Sequence, residues 1–228
     1  MDYIIAGGVK NMSHVRPFDQ ENISGFLHEP ATDSRGGIAL THGAGANCNS
    51  RLLIAVAELF CVQNWTVLRY DLPFRRNRPS GPPWPRSAAL DQAGVCEAAA
   101  QLRALTRGPI VAAGHSYGGR QTTMIAAKQP DFCDAIMALS YPLHPPNKPD
   151  QLRTVHFPEL QVPVLFVQGS TDPFGTEAEM QEAIKAIPSQ TRLVIIERGS
   201  HDLKNGKIEA GKASEIVKQL EELLPRRD

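Results

Sequence analysis

The sequence predicts one α/β domain over residues 1–228, a mostly parallel central sheet with helices on both faces. Three observations predict it. The short apolar runs are continuous rather than alternating, as expected of strands covered on both sides. Helix-length segments separate them in steady alternation, the pattern of parallel strands joined by crossovers. A chain of 228 residues with 42% hydrophobic content can bury one large core, and no seam, repeat or low-complexity stretch divides it.

Taken in order, SHVRPF and NISGFLHEP read as an opening hairpin within the first 30 residues. GIALTH (37–42), WTVLRYD (65–71), PIVAAGH (109–115), AIMALSYP (135–142), VPVLFVQG (162–169) and RLVIIERG (192–199) read as the remaining strands. Residues 50–63 open with a Ser cap and carry apolar residues at three-and-four spacing. Residues 87–106 are rich in Ala, the best helix former. Segments 117–129, 176–187 and 211–224 complete the helices.

Charge and cysteine usage narrow the class. Lys plus Arg equals Asp plus Glu at 24 each, so no global field favours nucleic acid or an anionic membrane as partner. The apolar runs fall well short of the roughly 18 residues of a spanning helix. MDYIIAGGVKNMSH carries an early acid and no apolar stretch of a secretory signal. Cys48, Cys61, Cys96 and Cys133 form no CxxC pair, which argues against a zinc or redox motif. Cys61 and Cys96 fall in helix-like apolar stretches as small core residues. The cytoplasm is the expected compartment, and no metal or organic cofactor is expected.

In such sheets ligands bind at the carboxyl ends of the strands, so a site residue should lie just past a strand. VAAGHSYGGRQ (111–121) places Ser116 there, between Gly114 and Gly118 and immediately before a helix. That is the pattern of a nucleophile elbow, where side chains at the flanking positions would clash across the turn. A serine hydroxyl needs a base. Of seven histidines, His115 adjoins the serine and is expected to point elsewhere; His42 ends an earlier strand; His14 and His28 lie in the hairpin; His144 and His156 lie in a Pro-rich segment. His201, in ERGSHD after the last strand, is the expected base. Asp172, in VLFVQGSTDPFG, is the acid that would fix its tautomer, with Glu177 and Asp202 as rivals. Ser116, Asp172, His201 is the chain order of α/β-hydrolases.

For a developing oxyanion, one donor is the Tyr117 amide, after the nucleophile. A second is expected from THGAGANCN (41–49), where Gly43 and Gly45 allow close backbone approach and Ala44 or Gly45 could aim inward, Ala44 preferred. A phosphate-binding loop is disfavoured there, because no Gly-Lys-Ser/Thr follows.

HGAGAN, YDLPFR, GHSYGGR, GSTDPFG and GSHD together resemble the α/β-hydrolase superfamily over nearly the whole chain. Within it they are similar to the small lidless proteins related to dienelactone hydrolases and to a regulatory subunit of the NSL histone-acetyltransferase complex. The resemblance implies Ser116 as nucleophile, Asp172 as acid, His201 as base and the HGAGA loop on the oxyanion side. True dienelactone hydrolases carry a cysteine nucleophile, so a serine here speaks against dienelactone cleavage.

The interval 142–161 is too short for a cap and leaves room for a loop and one turn of helix. His144, His156 and Phe157 are its pocket candidates, or else surface residues of a crossover. Arg75, Arg76, Arg78 and Arg86, with Trp84 among them, form either a clamp for an anionic substrate group or a solvated loop. The expected function is hydrolysis of a small-molecule acyl substrate, an ester or thioester, through an acyl-enzyme. The alternatives are a catalytically silent scaffold that binds protein partners and a short-peptide hydrolase.

Overall fold

The computed structural model describes residues 14–20, 22–203 and 210–225, so the part of the expected hairpin before His14 lies outside the described residues. β1 (His14–Gln20) and β2 (Ile23–Glu29) pair antiparallel. They continue into β3 (Gly37–Thr41), β4 (Thr66–Tyr70), β5 (Ile110–His115), β6 (Ala135–Leu139), β7 (Val164–Gly169) and β8 (Thr191–Ile196). The eight strands form one sheet in the order β1-β2-β4-β3-β5-β6-β7-β8. β2 runs antiparallel to both neighbours, and every pairing from β4 to β8 is parallel.

Burial explains the continuous apolar runs. Every residue of β3 to β7 is buried, whereas the edge strand β8 alternates. Successive side chains enter opposite cores: Ile38 and Leu40 join one cluster, Ala39 the other. The first cluster is roofed by α1 (Arg51–Cys61) and α6 (Ala210–Leu223) through Leu53, Val56, Phe60, Ile216 and Leu220. The second is roofed by α3 (Ala88–Leu105), α4 (Tyr117–Ala126) and α5 (Glu177–Ala183) through Val95, Ala98, Leu102, Ile125 and Met180. The short α2 (Pro73–Asn77) precedes α3.

Local chemistry sets the ends. Ser50 Oγ accepts the Leu53 amide and starts α1, and Thr176 with Glu179 forms a capping box on α5. The expected strand 135–142 stops at Leu139, since Ser140 turns to φ +48° and breaks the extended run. The expected helix 176–187 is α-helical only to Ala183 and finishes as a 3-10 turn. α2 was not expected at all: five residues are too few to show a period. Between 142 and 161 lies a single 3-10 turn, Phe157–Glu159. Among the described residues no helix is long and apolar enough to cross a membrane.

Candidate active site

Ser116 is the one residue between β5 and α4, with φ +49° and ψ −113°. A non-glycine residue held there costs about 1–3 kcal/mol and persists only where its surroundings enforce it. The surroundings are backbone packed on backbone. A Cβ on Gly114 would lie 2.5 Å from Gly118 C and Gly119 N; one on Gly118 would lie 2.6 Å from the His42 carbonyl oxygen. Gly119, not singled out from sequence, is as constrained, 2.6 Å from the Gly114 oxygen. The Ser116 amide is anchored by donating to Leu139 O at 2.8 Å.

His201 and Asp172 arrive on the loops after β8 and β7, and these loops are laced together. Thr171 donates both its amide (3.0 Å) and its hydroxyl (2.8 Å) to Gly199 O, and Arg198 N donates to Ser170 Oγ at 2.8 Å. A side chain on Gly169 would collide with the Gly199 carbonyl. The lacing brings His201 Nδ1 to 2.9 and 3.0 Å from the two Asp172 carboxylate oxygens. His201 Nε2 lies 2.8 Å from Ser116 Oγ. Asp172 is 2% exposed and its carboxylate also accepts from Phe174 N (2.9 Å) and Gln168 Nε2 (3.0 Å). An ionised carboxylate is acceptor-only, so His201 carries its proton on Nδ1 and presents a free Nε2 lone pair to the Ser116 hydroxyl.

Two contacts hold the His201 ring in place. Phe174 stacks on it at 4.2 Å between centroids and 33°. His115, expected to point away, instead donates its Nε2–H to the His201 carbonyl at 2.9 Å, its ring 5.3 Å from that of His201. The turn at Ser116 directs the serine upward and leaves the preceding side chain under the β8 loop. Burial pushes the His115 pKa down to about 4, so the ring is a neutral donor.

The Tyr117 amide lies in the first turn of α4, where backbone N–H groups have no carbonyl of their own helix. The 43–47 loop passes against this point: a Cβ on Gly43 would lie 3.0 Å from His115 Nδ1 and 3.4 Å from Ser116 Cβ. Gly45, by contrast, faces open space, so close approach is not the reason for glycine there. The loop is pinned from beneath. His42 is fully buried and donates Nδ1–H to Gly43 O (2.8 Å), while its Nε2 accepts from Leu72 N (3.2 Å). Arg75 is only 5% exposed. Its Nε donates to Ala46 O (2.7 Å), Nη2 to Ala44 O (2.9 Å) and Gly81 O (3.1 Å), and Nη1 to Arg78 O (3.0 Å). A trans peptide sets N–H opposite C=O, so His42 and Arg75 turn the Ala44 and Gly45 amides away from themselves.

A family model described as an alpha/beta hydrolase domain matches residues 34–224. The chain belongs to the α/β-hydrolase family. Among solved structures it is similar to the dienelactone hydrolase of Anabaena variabilis, with 21% identity, TM-score 0.71, and 94% of this chain and 99% of that one covered. Est1E of Butyrivibrio proteoclasticus, described with ferulic acid bound, gives 16% identity, TM-score 0.71 and coverage of 92% and 96%. XC6422 of Xanthomonas campestris, described as a serine hydrolase without lid, gives 16%, 0.66 and coverage of 95% and 97%. At these identities the likeness is one of fold.

In this α/β-hydrolase several expected pocket residues have other surroundings. Phe157 is fully buried against Tyr141 and Phe166 and belongs to the core, because the crossover folds back on the sheet. His144 is 5% exposed; its Nδ1–H donates to Pro145 O at 2.8 Å, and Nε2 is 3.4 Å from Glu179 at the start of α5. His156 Nε2 lies 2.9 Å from Thr123 Oγ1, two turns along α4 from Ser116. Arg75 spends its donors on main-chain carbonyls, and what remains of its surface lines two concavities beside the 43–47 loop. These concavities, of about 370 and 230 Å³, flank the loop, the first lined by Ser24, Asn47, Asp71, Arg75 and Arg76, and neither includes Ser116 or His201.

Sequence reasoning also missed Asp91, a buried helical acid. Its carboxylate accepts from Tyr117 OH (2.7 Å) and Phe74 N (2.9 Å), joining α2, α3 and the first residue of α4. Burial raises the Asp91 pKa and that of the Tyr117 phenol. The available signal was an Asp at a position facing the sheet in an Ala-rich helix.

Proposed function

We propose that this hydrolase is a serine enzyme cleaving carboxylic esters or thioesters through an acyl-enzyme. The observation that carries it is the unbroken hydrogen-bond chain Ser116–His201–Asp172, with 2.8 Å at its first link and 2.9 Å at its second. His201 Nε2 takes the Ser116 proton as Oγ bonds to the substrate carbonyl carbon. The Tyr117 amide and a donor of the 43–45 loop hold the oxyanion. Collapse of the tetrahedral adduct expels the alcohol or thiol, which leaves with the proton from His201. Water, deprotonated by His201, then attacks the acyl carbon, and return of the proton to Ser116 frees the acid. Asp172 stays ionised and stabilises the imidazolium.

A structure of the same fold described as a serine hydrolase supports this reading, as does the preformed position of the base against the hydroxyl. We assign the protein to the cytoplasm on its four free thiols, which a reducing compartment preserves.

Stopped-flow hydrolysis of p-nitrophenyl acetate tests the mechanism. An acyl-enzyme gives a burst of about one equivalent of nitrophenolate per protein, absent in Ser116→Ala. A wild type without turnover, or a Ser116→Ala variant as active as wild type, contradicts the proposal.

A further inference from the structure

Arg120 stands one turn of α4 beyond Ser116, its amide donating to Ser116 O at 2.9 Å. Helical side chains as a rule lean towards the N-terminus, the end of α4 that Ser116 occupies. The Arg120 Nε is shut off from solvent and has no hydrogen-bond partner. Buried donors are ordinarily matched, and an orphan on a charged group is costly.

A second cation lies within electrostatic reach of Arg120. Arg153, on the 142–161 crossover, donates its amide to Leu143 O (2.8 Å) and Nη1 to Pro142 O (3.3 Å), and its carbonyl accepts from Tyr141 OH (2.7 Å). Burial, then the nearby Arg120 charge, lowers its pKa. Thr123 closes the cluster: its hydroxyl donates to Arg120 O (3.0 Å) and contacts His156 Nε2 (2.9 Å). Burial first, then Arg120 and Lys128, press the His156 pKa down to about 4, so that ring adds no charge at neutral pH. Among the described residues no carboxylate pairs with Arg120 or Arg153. Two half-buried like charges without a counter-ion repel, and a ligand that brings the anion removes the conflict.

We propose that Arg120 and Arg153 form a carboxylate subsite beside Ser116, selecting acyl groups that end in a carboxylate: monoesters or monothioesters of short dicarboxylic acids. Two guanidinium forks suit a planar carboxylate. One helical turn along α4 is about 6 Å, a span that an acyl chain of about three or four methylenes covers. The substrate class rests on the serine hydrolase reading, whereas the subsite itself does not.

The test compares monomethyl glutarate with methyl valerate, equal in acyl length, by titrating released acid. Calorimetry of free glutarate binding runs alongside. Wild type should favour the charged ester at least about tenfold in kcat/KM, with the ratio falling as salt rises. Arg120→Gln and Arg153→Gln should each cut the ratio about tenfold and abolish glutarate binding, with Arg120→Lys recovering part of both. A wild-type ratio near one or lower, with no glutarate binding, overturns the subsite while turnover of methyl valerate upholds the hydrolase. Glutarate binding lost in the Gln variants, with neither ester turned over, upholds the subsite and overturns the hydrolase. The wild-type ratio, its salt dependence and the calorimetry decide the matter even if a variant does not fold.

Discussion

The ring of His115 donates its Nε2–H to the main-chain carbonyl of His201 across 2.9 Å. The residue before Ser116 thereby holds the backbone of the residue whose ring meets the Ser116 hydroxyl, and it ties β5 to the loop after β8. His115 touches no reacting atom; it is a positioning residue. Replacing it by Phe leaves a buried carbonyl unpaired, at about 1–3 kcal/mol, and lets His201 drift. The expected result is a fall of about tenfold in kcat with KM little changed, and partial recovery in His115→Gln, which keeps a donor. Steady-state kinetics on p-nitrophenyl acetate measure both; an equal loss in the two variants contradicts this role.

Arg75 holds the 43–47 loop by the carbonyls of Ala44 and Ala46. Losing a whole oxyanion donor costs about 10²–10³ in kcat, and a loosened loop costs a part of that. Arg75→Met should lower kcat by about tenfold or more, equally for neutral and anionic esters. A rise in KM confined to anionic esters would instead return Arg75 to the clamp role.

Gly114 and Gly45 make a matched contrast. A methyl on Gly114 meets the α4 backbone at 2.5 Å, while one on Gly45 meets nothing within 4 Å. Gly114→Ala should cost about 3 kcal/mol and abolish turnover by pushing α4 away from β5. Gly45→Ala should stay within about 0.5 kcal/mol of wild type. Urea unfolding followed by circular dichroism ranks the two, and a Gly45→Ala variant as damaged as Gly114→Ala would refute the contrast.

Four histidines make the fold acid-sensitive, and burial lowers the pKa of His42 among them. His28, His115 and His156 are each depressed to about 4, chiefly by burial; Arg69 adds to the effect on His28. The ordinary value is 6.5, so the unfolded chain takes up protons first as pH falls. Stability is full above about 6.5 and drains away towards pH 4. Thermal melting should show Tm falling steadily over that window, less steeply when His28 and His156 are changed to Gln. A flat Tm between pH 6.5 and 4 would contradict it.

The sheet was legible in the sequence because strands buried on both faces leave uninterrupted apolar runs, as VLFVQG and AIMAL do. Ser116, Asp172 and His201 stood out because each follows such a run, and the folded chain brings the three into contact. What escaped notice acts at long range or through the main chain. Arg75 resembled a clamp or a solvated charge, since the loop carbonyls it holds, at Ala44 and Ala46, lie about 30 residues away. Phe157 resembled a pocket wall because nothing local shows that the crossover returns to the core. Gln168 holds Asp172 from inside β7, and a lone polar residue in an apolar strand carries no sign of its partner. Gly45 resembled Gly43, although only Gly43 is pressed against its neighbours.

The central claim is that His201 activates the Ser116 hydroxyl. Labelling with a fluorophosphonate, followed by mass mapping of the adduct, tests it without any knowledge of the natural substrate. Wild type should gain one phosphonyl group on Ser116, with no labelling in Ser116→Ala and labelling slowed at least about 10³-fold in His201→Ala. A folded wild type that resists the probe, or an adduct mapped to another residue, would contradict the account.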